Sequence, residues 1–153
     1  MAACPHLVAD LVPHAPPMVL LDEILAWDDA SLSAVLTVRP DSLFFEPGQG
    51  IAAHVGIEWM AQACGAFAGL EAKAAGESVR LGFLLGTRRY RATVPWFLDG
   101  ERLVVSVKQV FRDGGMGVFD CRIEAEDGAR AVAQLIVYQP EDASIILSQQ
   151  AME

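Results

Sequence analysis

A chain of 153 residues, 53% apolar and 20% charged, is long enough to bury a core and falls in the globular range. Its formal net charge of -9 argues against general nucleic-acid binding, which needs a surplus of Lys and Arg to meet phosphate. No apolar run reaches the roughly 18–20 residues of a membrane span without a charge or a breaker.

No stretch is rich enough in Pro, Ser or Gln to be a linker, and no internal repeat is visible, so one domain over residues 1–153 is expected. The N-terminus lacks a basic region followed by an apolar one, as a signal peptide would have. Cys4, Cys64 and Cys121 are odd in number and widely spaced, with no CxxC pair. Free thiols in a reducing cytoplasm are the simplest reading.

In chain order, Leu7 to Val12 reads as a short helix, broken by Pro13, Pro16 and Pro17. Met18 to Trp27 reads as a first strand. Asp28, Asp29 and Ala30 signal a turn, and Leu32 to Val38 alternates apolar and polar side chains as a half-buried strand does. A loop follows Pro40, through Phe44, Phe45, Pro47 and Gly48.

From Ala52 to Ala75 the chain is Ala-rich, free of Pro and almost free of Val and Ile, which favours helix. Such a helix would be about 35 Å long. It is apolar nearly all round, so it is expected to be surrounded by protein, with Gly76 at its C′ position. The remainder reads as strands: LGFLLG into TRRYRATV, then ERLVVSVKQVF, GVFDCRIEAE and ARAVAQLIVYQ. Turn signals at Asp99-Gly100, Asp113-Gly114-Gly115 and Asp127-Gly128 separate them. Short connections between long strands make antiparallel neighbours. The expected architecture is α+β, one curved antiparallel sheet packed around one long helix. Pairing between subunits would protect an exposed sheet edge, so a dimer is expected.

The first half of the helix carries three polar side chains, His54, Glu58 and Gln62. Their i, i+4, i+8 spacing puts them on one face. A carboxylate deep on an apolar helix is costly to keep charged, which suits acid–base work, so Glu58 is the leading functional candidate. Gln62 is weighed more heavily as a bridge to a strand, and His54, near the helix start, evenly between site and surface. No GxSxG elbow, P-loop or strand-borne GxGxxG is present; Gly114-Gly115-Met116-Gly117 sits at a hairpin turn. His54 and Glu58 lack a clear third ligand, so no metal and no cofactor is expected. Lys73, Arg80, Arg88, Arg89 and Arg91 lie close in sequence and form a candidate basic patch for a phosphate or an acidic partner.

Three segments resemble the hot-dog 3-hydroxyacyl-acyl-carrier-protein dehydratases, in the same order and over most of the chain. They are LVPHAPPMVLLDEIL (Leu11 to Leu25), PGQGIAAHVGIEWMAQACG (Pro47 to Gly65) and LLGTRRYRATVPWFLDGERLVVSV (Leu84 to Val107). The GIE-MAQ helix and the LLG-R strand are more similar still to a divergent branch, the dehydratase subunits of aryl-polyene pigment clusters. The resemblance implies a hot-dog fold, with the long central helix wrapped by the curved antiparallel sheet. It implies an acyl thioester substrate, carried by acyl carrier protein or CoA, in fatty-acid or polyene biosynthesis. It also implies a homodimer or a hetero-oligomer with another hot-dog subunit.

Residue by residue, the family's catalytic acid falls on Glu58 and its neighbouring Gln on Gln62. The family's catalytic His, which precedes an aromatic residue and Pro-Gly, falls on Phe45 of Phe45-Glu46-Pro47-Gly48. With the loop His replaced, His54 becomes the candidate base, one turn before Glu58. Helix-start amides from Ala52 to Val55 would hold the thioester oxygen. Phe45, Gly48, Ala53, Val55 and Gln62 are the expected substrate contacts, with Arg88 or Arg89 meeting a carrier or pantetheine phosphate. Two other readings remain open: a non-catalytic partner subunit, and a thioesterase of the same fold.

Overall fold

A computed structural model of the chain describes residues 4, 6–12, 18–77 and 82–139. The prolines Pro13, Pro16 and Pro17, and Arg80 of the basic patch, lie outside the described residues. The elements run α1 (Val8–Leu11), β1 (Glu23–Trp27), β2 (Ser31–Thr37), β3 (Phe45–Glu46) and β4 (Gly50–Ala52). A 3-10 turn (Ala53–Val55) then leads into the long helix α2 (Gly56–Ala74). After it come β5 (Phe83–Ala92), β6 (Trp96–Phe97), β7 (Arg102–Asp113), β8 (Met116–Ala125) and β9 (Gly128–Tyr138).

Six strands form one antiparallel sheet in the order β1-β2-β7-β8-β9-β5, and β3, β4 and β6 form a small second sheet. The period-2 patterns explain the layering. On the face toward α2, registered rows cross the sheet: Ala34, Val105, Ile123 and Ala131 in one, Leu32, Val107, Cys121 and Ala133 in the next. All eight are buried. Small side chains recur in these rows and let the helix lie close. The residues between them, such as Arg102, Lys108, Asp120 and Arg122, are exposed on the outer face.

The expected first strand is shorter than its hydrophobicity implied. Only Glu23–Trp27 pairs with β2 as strand. Met18, Leu20 and Leu21 turn instead toward α2, where Gln62 takes their backbone groups. The Nε2 amide of Gln62 donates to the Met18 carbonyl at 2.7 Å, and its Oε1 accepts from the amides of Leu20 at 2.7 Å and Leu21 at 3.0 Å. A side chain has replaced a neighbouring strand.

The helix buries Trp59, Met60, Ala63, Cys64, Phe67 and Leu70 against the sheet. Phe67 meets Phe119 edge-on, with ring centroids 5.7 Å apart. Gly69 admits α1, since a Cβ there would lie 2.0 Å from the Leu11 carbonyl oxygen. At the C-terminus Gly76 takes φ +74°, and the amides of Gly76 and Glu77 bond back to the carbonyls of Lys73 and Ala72. These are the two bonds of a Schellman cap.

The two sides of this helix are covered unequally. The chain's own sheet does not surround it. His54 and Glu58 are exposed, and Ile57, Ala61, Gly65, Ala68 and Glu71 along the same side are only half-buried. The apolar run around the helix reads as full burial, but the sheet of one chain covers one face.

Candidate functional site

The start of α2 is held from three directions. Phe45 pairs with Ile51 across the β3–β4 hairpin, whose turn needs positive φ at Gly48 and Gly50. Gly50 is further constrained, because a Cβ there would meet the Phe97 carbonyl oxygen at 2.2 Å. Strand β4 then pairs with β6, Ile51 to Phe97 and Ala52 to Trp96, and the Ala53 amide donates to the Pro95 carbonyl at 3.0 Å. Beneath this ladder Trp59 lies against Phe97, centroids 4.8 Å apart.

The third hold is Tyr90, which sequence reasoning missed. Its hydroxyl donates to the carbonyl of Ala53, the first residue of the 3-10 turn that leads into the helix. Gly56 makes room for it, since a Cβ there would meet the Tyr90 Oη at 2.4 Å and Ile123 Cδ1 at 2.8 Å. Tyr90 reaches inward because the β5–β9 register breaks between Arg88 and Arg91, with Arg89 in the left-handed region at φ 56°. Burial pushes the Tyr90 phenol up to about 12, so it remains a neutral donor at physiological pH. The only hint in the sequence is one aromatic residue set among the arginines of TRRYRA.

Glu58 is the third residue of α2, in its first turn, where the helix dipole favours a carboxylate. His54 stands one turn earlier on the same face. Both are exposed, and among the described residues no hydrogen bond or ion pair joins them. The burial expected for Glu58 is therefore not supplied by its own chain. Two cavities stand out, of about 400 Å³ and about 240 Å³, and neither is lined by Glu58 or His54.

The other expected contacts divide. Gln62 is 3% exposed and spends its amide on Met18, Leu20 and Leu21. In this chain it anchors the Met18–Leu21 segment to α2. Phe45 packs partly against the core, and Gly48 is an exposed turn residue with no atom within 4 Å of its Cβ position. Val55 is buried at 5% exposure. The Ala53 amide, expected to face the thioester oxygen, is taken by Pro95. His54 and Val55 begin the turn, where a helix's first N–H groups have no carbonyl one turn back.

Arg88 and Arg89 are exposed on β5, with Arg88 registered opposite Gln134 on the outer face. Burial, reinforced by a hydrogen bond with Cys121, pushes the Cys64 thiol well above its ordinary value, which removes it as a nucleophile. Among the described residues no group of three or more His, Cys, Asp or Glu could hold a metal ion. No described helix is long and apolar enough to cross a membrane.

A long helix lying on a six-stranded antiparallel sheet, with a carboxylate in its first turn on the open side, is the architecture of a hot-dog protein. The sequence pattern of the ApeP-like family, described as ApeP dehydratase, matches residues 6–148, and the chain belongs to that family. The structure is similar to the dehydratase heterocomplex ApeI:P from Xenorhabdus doucetiae, at a TM-score of 0.87 and 31% identity. That match covers 94% of this chain and 97% of that one. Two curated relatives are 3-hydroxyacyl-[acyl-carrier-protein] dehydratases named FabZ. The one from Psychrobacter arcticus is 27% identical over 144 residues, covering 89% of this chain and 96% of the relative. The one from Dichelobacter nodosus is 29% identical over 138 residues, covering 82% and 88%. The chain is a dehydratase-like hot-dog protein of fatty-acid or polyene-type biosynthesis.

Proposed function

We propose that this chain is one subunit of an assembled 3-hydroxyacyl thioester dehydratase, with Glu58 as its acid. The observation that carries the reading is the exposure of Glu58 on a helix face that the chain's own sheet leaves open. A dehydrating site must exclude water, and here a second hot-dog subunit would close over that face. The similar Xenorhabdus doucetiae protein is a dehydratase heterocomplex, which supports a hetero-oligomer over a homodimer. One hot-dog domain over residues 1–153 supplies this side of the site.

In the reaction a base takes the proton α to the thioester carbonyl. The electron pair forms the α–β double bond as the β-hydroxyl departs, and Glu58 in its neutral form gives that hydroxyl the proton that makes it water. His54 is the base within this chain. First-turn amides at His54 and Val55 face the thioester oxygen as it gains charge. The carrier is acyl carrier protein or CoA, and Arg88 and Arg89 meet its phosphate. The free thiols of Cys4, Cys64 and Cys121 support a cytoplasmic site of action.

The test is turnover of a 3-hydroxyacyl carrier-protein thioester by this chain alone, by the chain co-purified with a second hot-dog subunit, and by assemblies carrying Glu58→Gln or His54→Asn. The assembly is expected to be active and the isolated chain weak. Each substitution should cost about a hundredfold or more in turnover. Full activity of the isolated chain would remove the partner. An active Glu58→Gln assembly would make this chain a non-catalytic subunit.

A further inference from the structure

The peptide unit between Ala53 and His54 is the pivot from β4 into α2. Its oxygen, the Ala53 carbonyl, accepts the Gly56 amide that closes the 3-10 turn, and it also accepts the Tyr90 hydroxyl. Both lone pairs of that oxygen are then spent. One peptide earlier, the Ala53 amide is held by the Pro95 carbonyl at 3.0 Å. Two consecutive peptide planes are thus pinned. A trans peptide is planar, with its C=O and N–H pointing in opposite directions. Since the Ala53 oxygen is turned toward Tyr90, the His54 N–H points away from it, out of the helix start. Among the described residues that amide has no partner outside the turn, and no side chain caps the turn or α2.

Tyr90 reaches this oxygen from another strand, 37 residues further along the chain. The break in the β5–β9 register and the left-handed Arg89, unfavourable for a residue with a Cβ, aim it inward. Gly56 admits it, because a Cβ there would collide with the hydroxyl and lie 2.8 Å from Ile123 Cδ1. The Gly56 amide already satisfies the Ala53 oxygen, and the β4–β6 ladder already holds this segment. The hydroxyl therefore rescues no orphaned acceptor. Its effect falls on the far end of the same peptide.

We propose that Tyr90 is a positioning residue: through the Ala53 carbonyl it aims and strengthens the His54 N–H as a donor to the substrate's thioester oxygen. The role rests on the dehydratase reading of Glu58. A hydrogen bond to a peptide oxygen draws charge across the amide and makes the N–H of that peptide a stronger donor. It also keeps the peptide from rocking, so the donor is in place before negative charge builds on the thioester oxygen. Tyr90 acts without touching the reacting atoms.

The experiment uses the assembled protein carrying Tyr90→Phe or Gly56→Ala. The first removes the hydroxyl and keeps the ring. The second keeps the hydroxyl and pushes it off the Ala53 oxygen. Turnover and KM are measured with a 3-hydroxyacyl carrier-protein thioester. The infrared stretch of the thioester carbonyl is measured on a bound saturated acyl-CoA, which has no β-hydroxyl to lose and is isotope-labelled at the carbonyl carbon. On the wild-type assembly that stretch is expected to move to lower frequency. In both variants kcat should fall about tenfold, KM should stay within about twofold, and most of the carbonyl shift should be lost. An unchanged kcat in Tyr90→Phe would overturn the proposal. So would a fall in kcat with the carbonyl shift intact, since Tyr90 would then act through stability alone. A wild-type assembly that turns over no 3-hydroxyacyl thioester would overturn the dehydratase reading. Loss of the carbonyl shift in its Tyr90→Phe variant would still place Tyr90 behind the thioester donor.

Discussion

The two faces of α2 differ in both residues and surroundings. Toward the sheet, Trp59, Met60, Ala63, Phe67 and Leu70 are closed in, and on the flank beside them Gln62 is sated by the backbone of Met18, Leu20 and Leu21. Away from the sheet, His54, Glu58, Ala61, Gly65 and Ala68 are left open, and the side chains of His54 and Glu58 have no partner among the described residues. Gln62 and Glu58 are one turn apart. A neutral amide that can both donate and accept is used to pin a loop, while the ionisable group is kept out of the chain's own core. Stability resides on one face, and the chemistry proposed for Glu58 on the other.

That division can be broken most forcefully at Phe67. Phe67→Ala removes a ring that is 1% exposed and stacked edge-on against Phe119. It should cost about 4 kcal/mol, read as a fall in the denaturant midpoint. A loss below ~1 kcal/mol would mean the sheet side does not carry the fold. Gln62→Leu comes next. It keeps the volume but strands the Met18 carbonyl and the Leu20 and Leu21 amides, and should cost about 2 kcal/mol. Hydrogen exchange at the Leu20 and Leu21 amides should rise in the same variant. Unchanged protection there would return Gln62 to the substrate contacts.

Sequence pattern carried the sheet and the helix because alternation and Ala-rich composition are local signals. Leu32 to Val38 and ERLVVSVKQVF fall on β2 and β7 almost residue for residue, and Gly76 caps the helix where expected. Met18 to Leu21 reads as strand by the same local rule and is not one, because a residue 42 positions away claims the Leu20 amide. Glu58 and His54 were legible as a face of the helix. Their exposure was not, since apolar composition cannot tell burial in one chain from burial between two. Tyr90 was invisible because its direction depends on a bulge at Arg89, and no residue type announces that.

Tyr90→Phe should cost about 1 kcal/mol, the net worth of one hydrogen bond. It also carries a pH signature. The phenol's value rises from 10.0 to about 12 on folding, so the folded state holds its proton longer. Its contribution is therefore whole below the unfolded value of 10.0 and is lost as pH rises through about 12. Chemical denaturation across that range should show a smaller alkaline loss in Tyr90→Phe than in wild type. An identical slope would mean the helix start is held by the β4–β6 ladder alone.

The smallest expected change in stability is at the residue with the largest expected role. Glu58→Gln in the isolated chain removes an exposed carboxylate from the first turn of α2 and loses only its favourable meeting with the helix dipole, about 0.5 kcal/mol. The same substitution in the assembled protein should reduce turnover by about a hundredfold. The two measurements together separate the faces of the helix. A cost near ~2 kcal/mol in the isolated chain would put Glu58 in a hydrogen-bonded network of its own fold, as Gln62 is. The open face would then be a second structural face, and the partner subunit would have no incomplete site to close.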